Sequence, residues 1–158
     1  MESTLTKTTR SALTLLVALT VIFFSTTDGV LGQSMTMSPY KICLNANGQS
    51  DNFQAVIPMT LEPGYTYYGC EATLYIDGQF IADSYGAKYC YIDDNLLVYF
   101  DRDEVLSNPV LEELALAGST YGAEVVGNLI MAPIDGGENI SRGFSAQDDV
   151  LVFDPDKK

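Results

Sequence analysis

The chain has 158 residues, with 21 acidic against 8 basic side chains, a formal net charge of −13, 10 tyrosines, and neither histidine nor tryptophan. A chain of this length holds at most one ordinary domain plus a targeting segment, and its acidity repels phosphate backbones, which argues against nucleic-acid binding. Because histidine is absent, Ser-His-Asp catalysis, Cys-His catalysis and histidine metal ligands are excluded.

Residues 1–32 have the three-part layout of a secretory signal peptide. A polar start carrying Lys7 and Arg10 precedes the uncharged apolar run Ser11–Phe24, and the predicted cut lies before Gln33. The alternative is a retained membrane anchor, but this run would rise only about 21 Å as a helix, short of the roughly 30 Å hydrocarbon core of a bilayer. We therefore expect cleavage, a secreted or cell-surface location, and no membrane span afterwards.

The first part of the mature chain is predicted to be a flexible lead-in followed by two strands. Residues Gln33–Pro39 form the lead-in. Strands follow at Tyr40–Ala46 and Phe53–Met59, separated by a turn at Asn47–Asn52. Because Pro58 cannot donate to a ladder, the second strand ends there or lies at a sheet edge.

The middle of the chain carries the strongest strand signals. Cys70–Ile76 and Phe80–Ala82 flank Asp77-Gly78, a hairpin turn. Asp83–Lys88 is predicted to be a loop. The next strand, Leu96–Phe100, is apolar on both faces, which predicts a position in the middle of a sheet with cover on each side.

The remaining elements lead to the fold class. An additional turn at Asp101–Ser107 precedes a helix that begins at Asn108-Pro109 and ends at Gly118. A strand follows at Glu124–Met131, with a bulge at Gly127. The chain then continues through a polar loop Asp135–Arg142 and a strand Val150–Phe153 to a charged tail 155–158. The pattern predicts that residues 40–154 form an all-β domain, a two-sheet antiparallel immunoglobulin-like sandwich of about seven strands with one short helix.

The 3 cysteines, Cys43, Cys70 and Cys90, all lie in the predicted secreted part. An oxidising compartment favours one disulfide and one leftover thiol. Cys70 and Cys90 flank the hairpin and are the preferred pair, although Cys43 with either partner remains open. A catalytic cysteine is not expected, since no histidine exists to generate the thiolate.

Several short motifs, taken in order, resemble a small immunoglobulin-like β-sandwich module of secreted and cell-surface proteins in archaea and bacteria. They are L-N at Leu44-Asn45, L-Y-I-D-G at Leu74–Gly78, L-V-Y-F-D-R-D-E-V at Leu97–Val105, A-E-V-V-G-N-L at Ala123–Leu129 and G-F-S-A-Q-D-D-V-L-V-F at Gly143–Phe153. In that module a strand ending in F-D-R leads into a helix, a V-x-G strand follows, and F-x-G-x-D-x-(I/V)-x-V closes the fold. The resemblance implies an accessory or structural role rather than catalysis.

Two positions depart from the module. Its closing glycine is Ala146 here, and its D-x-D-G-D-G type loop, which has the look of a calcium site, is only Asp93-Asp94-Asn95. Asp93, Asp94 and Asn95 supply clustered oxygens that could form part of a calcium site. The alternative interpretation is an acidic, solvated turn.

Two further features are candidates for modification or recognition. Asn139-Ile140-Ser141 is an N-glycosylation sequon in the polar loop. Tyr65, Tyr67 and Tyr68 could form a recognition patch, or could be ordinary rim residues of a sandwich. No spacing selects a pair of carboxylates for glycoside hydrolysis.

We therefore expect a secreted, non-enzymatic structural or interaction module of the cell surface or extracellular matrix. Its partners would be other extracellular proteins, or a second copy bound by strand addition at the lead-in and at the strand that ends with Pro58. The alternative hypothesis is a small ligand-binding domain for carbohydrate or calcium. No cofactor is predicted otherwise.

Overall fold

The computed structural model describes residues 33–44, 52–84 and 90–156, which belong to one compact unit, Leu31–Lys158. The predicted signal peptide 1–32, most of the turn at 47–52, most of the loop at 83–88 and the end of the charged tail lie outside the described residues. Neither helix in the described part of the chain has the length and apolarity needed to cross a membrane.

These residues form two facing sheets and two helices. The strands are β1 (Gln33–Ser34), β2 (Thr36–Ser38), β3 (Lys41–Cys43), β4 (Asn52–Pro58), β5 (Tyr65–Ile76), β6 (Gln79–Asp83), β7 (Cys90–Ile92), β8 (Asn95–Asp101), β9 (Thr120–Pro133) and β10 (Ile140–Phe153). The helices, α1 (Arg102–Leu106) and α2 (Pro109–Ala117), follow β8. The predicted all-β two-sheet sandwich is confirmed, with more strands than the seven or so expected and a second helix.

The larger sheet has the strand order β1-β10-β9-β5-β6, and β3 also pairs with β10. Its frame is the hairpin of β9 and β10, which keeps one register from Thr120↔Leu151 to Met131↔Ile140. The other pairings are antiparallel except those of β1 and β3 with β10. The predicted last strand, Val150–Phe153, was therefore too short. Residues 140–149, the polar N-terminal part of β10, alternate between solvent and core and belong to the same strand.

The smaller sheet has the order β2-β4-β8-β7. Strand β8 lies in its interior, as predicted, and Leu96, Val98 and Phe100 are completely buried against the larger sheet. Leu97 and Tyr99, on the outer side of β8, are only partly buried. The expectation of full cover on both faces was therefore wrong for the outer side.

The predicted flexible lead-in is part of the sandwich. Residues 33–39 contain β1, which pairs with β10, and β2, which pairs with β4. Met35 and Met37 are buried, because the segment crosses from one sheet to the other with both methionines facing the core. The edge proposed for strand addition is thus occupied by the chain's own β2. Pro58 ends β4, as predicted.

Gly127 does not form the predicted bulge. Strand β9 keeps its register through Gly127, which pairs with Phe144 on one side and Ala72 on the other. The irregularity lies instead in β5, between Tyr67 and Gly69. Gly127 is required because a Cβ there would overlap the Glu71 carbonyl oxygen and lie 2.8 Å from Phe144 Cζ.

Side-chain caps fix the two helices. Asp101, from the F-D-R motif, accepts hydrogen bonds from the backbone N–H groups of Asp103 and Glu104 and begins α1. Asn108 accepts from the Val110 N–H at 2.9 Å and begins α2, as predicted. Its amide also donates to the carbonyl oxygens of Phe80 and Ile81, which ties α2 to edge strand β6.

Candidate functional site

Alternation along the strands of the larger sheet separates a core face from a solvent face. The register pairs Tyr75 with Phe80 on one side and with Glu124 on the other, and pairs Glu124 with Gln147. Residues that face one another across a ladder project to the same side of a sheet. These four side chains, from four strands, therefore form one row on the outer face. At the usual strand spacing it spans about 14 Å.

A second row lies beside the first one. It runs through Asp83, Thr73, Val126 and Ser145 in the same strand order. The Thr73 hydroxyl donates to Asp83 Oδ1 at 2.6 Å, and the Ser145 hydroxyl donates to Glu124 Oε1 at 2.6 Å, which links the two rows. We call these two rows the outer face.

One part of the outer face is apolar. The rings of Tyr75 and Phe80 meet edge to face, with centroids 6.4 Å apart and an angle of 81°. Phe80 is 49% exposed and Val126 is 40% exposed. Aromatic and β-branched side chains held on a rigid sheet in this way offer contact area that is already ordered.

The other part of the outer face opens into an acidic groove of about 460 Å³. Its lining consists of Asp77, Gly78, Gly122, Ala123, Glu124, Gln147, Asp148 and Asp149. The small residues leave the depression, and every charged group in the lining is a carboxylate. A concave surface of one charge sign focuses the electrostatic potential, so the groove favours cations over anions.

The carboxylates of the groove do not share one role. Asp148 accepts from the Met37 N–H at 2.8 Å and from the Asp149 N–H at 2.8 Å, so it fastens β2 to β10. Asp77 and Gly78 have φ values of 52° and 72°, as a type I′ hairpin turn requires. The Asp77 N–H donates to the Gly122 carbonyl oxygen at 2.9 Å, which holds this turn against β9.

The predicted calcium ligands form the hairpin turn between β7 and β8. Asp93 and Asp94 have φ values of 49° and 57°, and the Asn95 amide donates to the Asp93 carbonyl oxygen. Asp94 Oδ1 accepts from the Tyr91 hydroxyl at 2.9 Å. Within residues 33–44, 52–84 and 90–156, no group of three or more Cys, Asp or Glu side chains is placed to hold a metal ion. Calcium binding here stays a prediction.

The three tyrosines proposed as a recognition patch do not lie together. Tyr65 and Tyr67 are partly buried against the core, whereas Tyr68 is 66% exposed at the irregularity in β5. Tyr67 stacks on Tyr91, with centroids 6.3 Å apart. The single Tyr91 hydroxyl proton lies within reach of the Met59 carbonyl oxygen as well as of Asp94 Oδ1, and burial, followed by the hydrogen bond with Asp94, raises the pKa of Tyr91.

The remaining predicted positions concern cysteine and glycan chemistry. Cys43 and Cys70 are buried and carry free thiols. The Cys90 backbone pairs with Leu97 in the smaller sheet, but its side chain lies outside the described residues. The Cys70–Cys90 disulfide therefore stays a prediction. Asn139 is exposed in the loop between β9 and β10, which is compatible with its predicted glycosylation.

The sequence matches no protein-family model and no curated protein. A structure described as "Crystal structure of protein from Archaeoglobus fulgidus" is similar, with a TM-score of 0.44 and 8% identity, over 77% of this chain and 95% of that chain.

Proposed function

We propose that this protein is a secreted, non-enzymatic interaction module of the cell surface or extracellular matrix, and that it binds another extracellular protein through the outer face. The observation that carries this proposal is the row of Phe80, Tyr75, Glu124 and Gln147, which continues into the acidic groove. Protein interfaces combine aromatic anchors with a polar rim in this way. The rigid sheet fixes both parts before binding.

Protein contacts fit the outer face better than a sugar does. Tyr75 and Phe80 are nearly perpendicular, at 81°, so they do not form the coplanar platform on which a sugar ring could lie. Asp148 already accepts two backbone hydrogen bonds. That makes it a poor general base, because a base needs an accepting oxygen aimed at its substrate.

Site-specific photo-crosslinking tests the proposal. A photoreactive phenylalanine analogue is placed at Gln147, the exposed member of the row on β10, and in a matched protein at Leu116, which is 65% exposed on α2. Each protein is irradiated with surface extract from its source cells. We expect a discrete adduct from position 147 and none from position 116. The proposal fails if position 147 gives no adduct, or if both positions give the same one.

A further inference from the structure

We infer that the partner presents a basic segment, carrying lysine or arginine, which lies across the outer face and places its charges at the acidic groove. This inference rests on the proposed function and adds the chemistry of the partner. Two features of the outer face support this partner: the exposed apolar part and the negative charge. A ligand held by carboxylates alone would make no contact with Val126, Tyr75 or Phe80.

The charge distribution selects the partner's sign. Asp83 and Glu124 lie on the outer face, and Asp77 and Asp149 line the groove beside it. The bases of the described residues are Lys41, Arg102 and Arg142, and none of them lines the groove. A basic segment is therefore attracted, whereas an acidic one meets like charges without compensation.

The apolar part of the outer face fits the aliphatic stems of the partner's lysine or arginine side chains. Lysine and arginine carry aliphatic stems that cover apolar surface while their charged ends stay in polar surroundings. Tyr75 and Val126 lie next to Glu124, and Phe80 lies one strand beyond Tyr75, so a stem resting on Tyr75 or Val126 brings its cation to that carboxylate. An aromatic ring also attracts a cation placed over its face.

The carboxylate at the junction is already ordered. The Ser145 hydroxyl donates to Glu124 Oε1, which holds this side chain between the apolar part and the groove. A surface ion pair is weak partly because it must immobilise two long side chains. Because Glu124 is already held in place, less side-chain entropy is lost when a cation pairs with it. The row is about 14 Å long and accommodates about four residues of extended chain.

Binding of fluorescently labelled decalysine, followed by anisotropy at low and physiological salt, tests the inference on the mature protein. The test variant is Glu124→Gln with Asp149→Asn, since the Gln oxygen still accepts from Ser145. The control is Glu112→Gln with Glu113→Gln, two exposed acids on α2 with the same change in net charge. We expect the affinity to fall about three- to tenfold in the test variant and less than about twofold in the control.

Equal weakening in both variants would show that decalysine senses only the net charge and would overturn the inference, as would the absence of binding to the unmodified protein. A Val126→Asp variant examines the apolar part. This substitution adds a negative charge, so a purely electrostatic contact would become stronger. If the aliphatic stems of the lysines pack on Val126, binding becomes weaker instead. If decalysine fails while position 147 still crosslinks to a partner, the proposed function stands and the basic segment is wrong.

Discussion

The two faces of β9 show how this chain separates stability from recognition. On the inner face, Val125 is completely buried and Leu129 is 1% exposed. On the outer face, Val126 is 40% exposed and Glu124 borders the groove. The two sets alternate along one backbone, so a single step along the strand exchanges one environment for the other. Changes on the inner face should therefore alter folding, and changes on the outer face should alter binding.

The largest expected effect is at Gly127 on the inner side. Gly127→Ala places a Cβ against the Glu71 carbonyl oxygen and 2.8 Å from both Ala72 Cβ and Phe144 Cζ. The backbone cannot yield without breaking the pairing of β9 with β5. We expect the free energy of unfolding to fall by about 3 kcal/mol or more, measured by chemical denaturation.

Gly122 is the matched control on the same strand. A Cβ at Gly122 meets no atom within 4 Å, and its φ is not in the left-handed region. Gly122→Ala should leave stability unchanged within about 0.5 kcal/mol, or raise it slightly, because alanine loses less conformational entropy than glycine on folding. Similar losses from both substitutions would mean that Gly127 is not under the steric constraint described.

A pair of identical substitutions at neighbouring positions sharpens the comparison of the two faces. Val125→Thr introduces a hydroxyl into the core and should cost about 1–2 kcal/mol. Val126→Thr introduces the same group into solvent and should cost less than about 0.5 kcal/mol, since threonine is also β-branched. Denaturation midpoints and slopes of both variants provide the measurement. If the two costs are alike, the division of β9 into a structural and a binding face is wrong.

The elements that were predictable from sequence are those with local chemical signals. Asp77-Gly78 specifies its turn because both residues tolerate positive φ, and Asn108 with Pro109 specifies the start of α2. Strand β10 was mostly missed because its polar outward residues resemble a loop composition. Only pairing with β9 shows that they are the solvent face of a long strand.

The outer face could not be predicted, because its members are brought together by register. Phe80, Tyr75, Glu124 and Gln147 come from four strands, and a shift of one residue in any pairing would disperse them. The acidic turn shows the opposite difficulty. The oxygens of Asp93 and Asp94 predict calcium ligands, but aspartate is also favoured where the backbone needs positive φ. Sequence alone does not separate the two causes.

The last prediction concerns Cys70, an inner-face residue of β5 that is 4% exposed. Burial, followed by the negative charge of Glu71, raises the pKa of its thiol from 9.0 to about 12. The folded protein therefore keeps a proton that the unfolded chain releases above about pH 9. Since the folded state binds more protons, stability should fall as the pH rises through this window.

We expect the free energy of unfolding to fall by about 1 kcal/mol more between pH 8 and pH 10 in the unmodified protein than in Cys70→Ala. Taking the difference between the two proteins removes the contribution of the tyrosines, which titrate equally in both. The alanine variant is the control, as it has no thiol to titrate at this position.

A disulfide between Cys70 and Cys90 would remove the effect altogether. It would also lower the mass of the unreduced protein by two hydrogens, so mass spectrometry with and without reductant distinguishes the predicted disulfide from the buried thiol of the structure. An unchanged pH profile in a protein shown to be fully reduced would contradict the raised pKa itself. Cys70 would then be more accessible to water than its inner-face position implies.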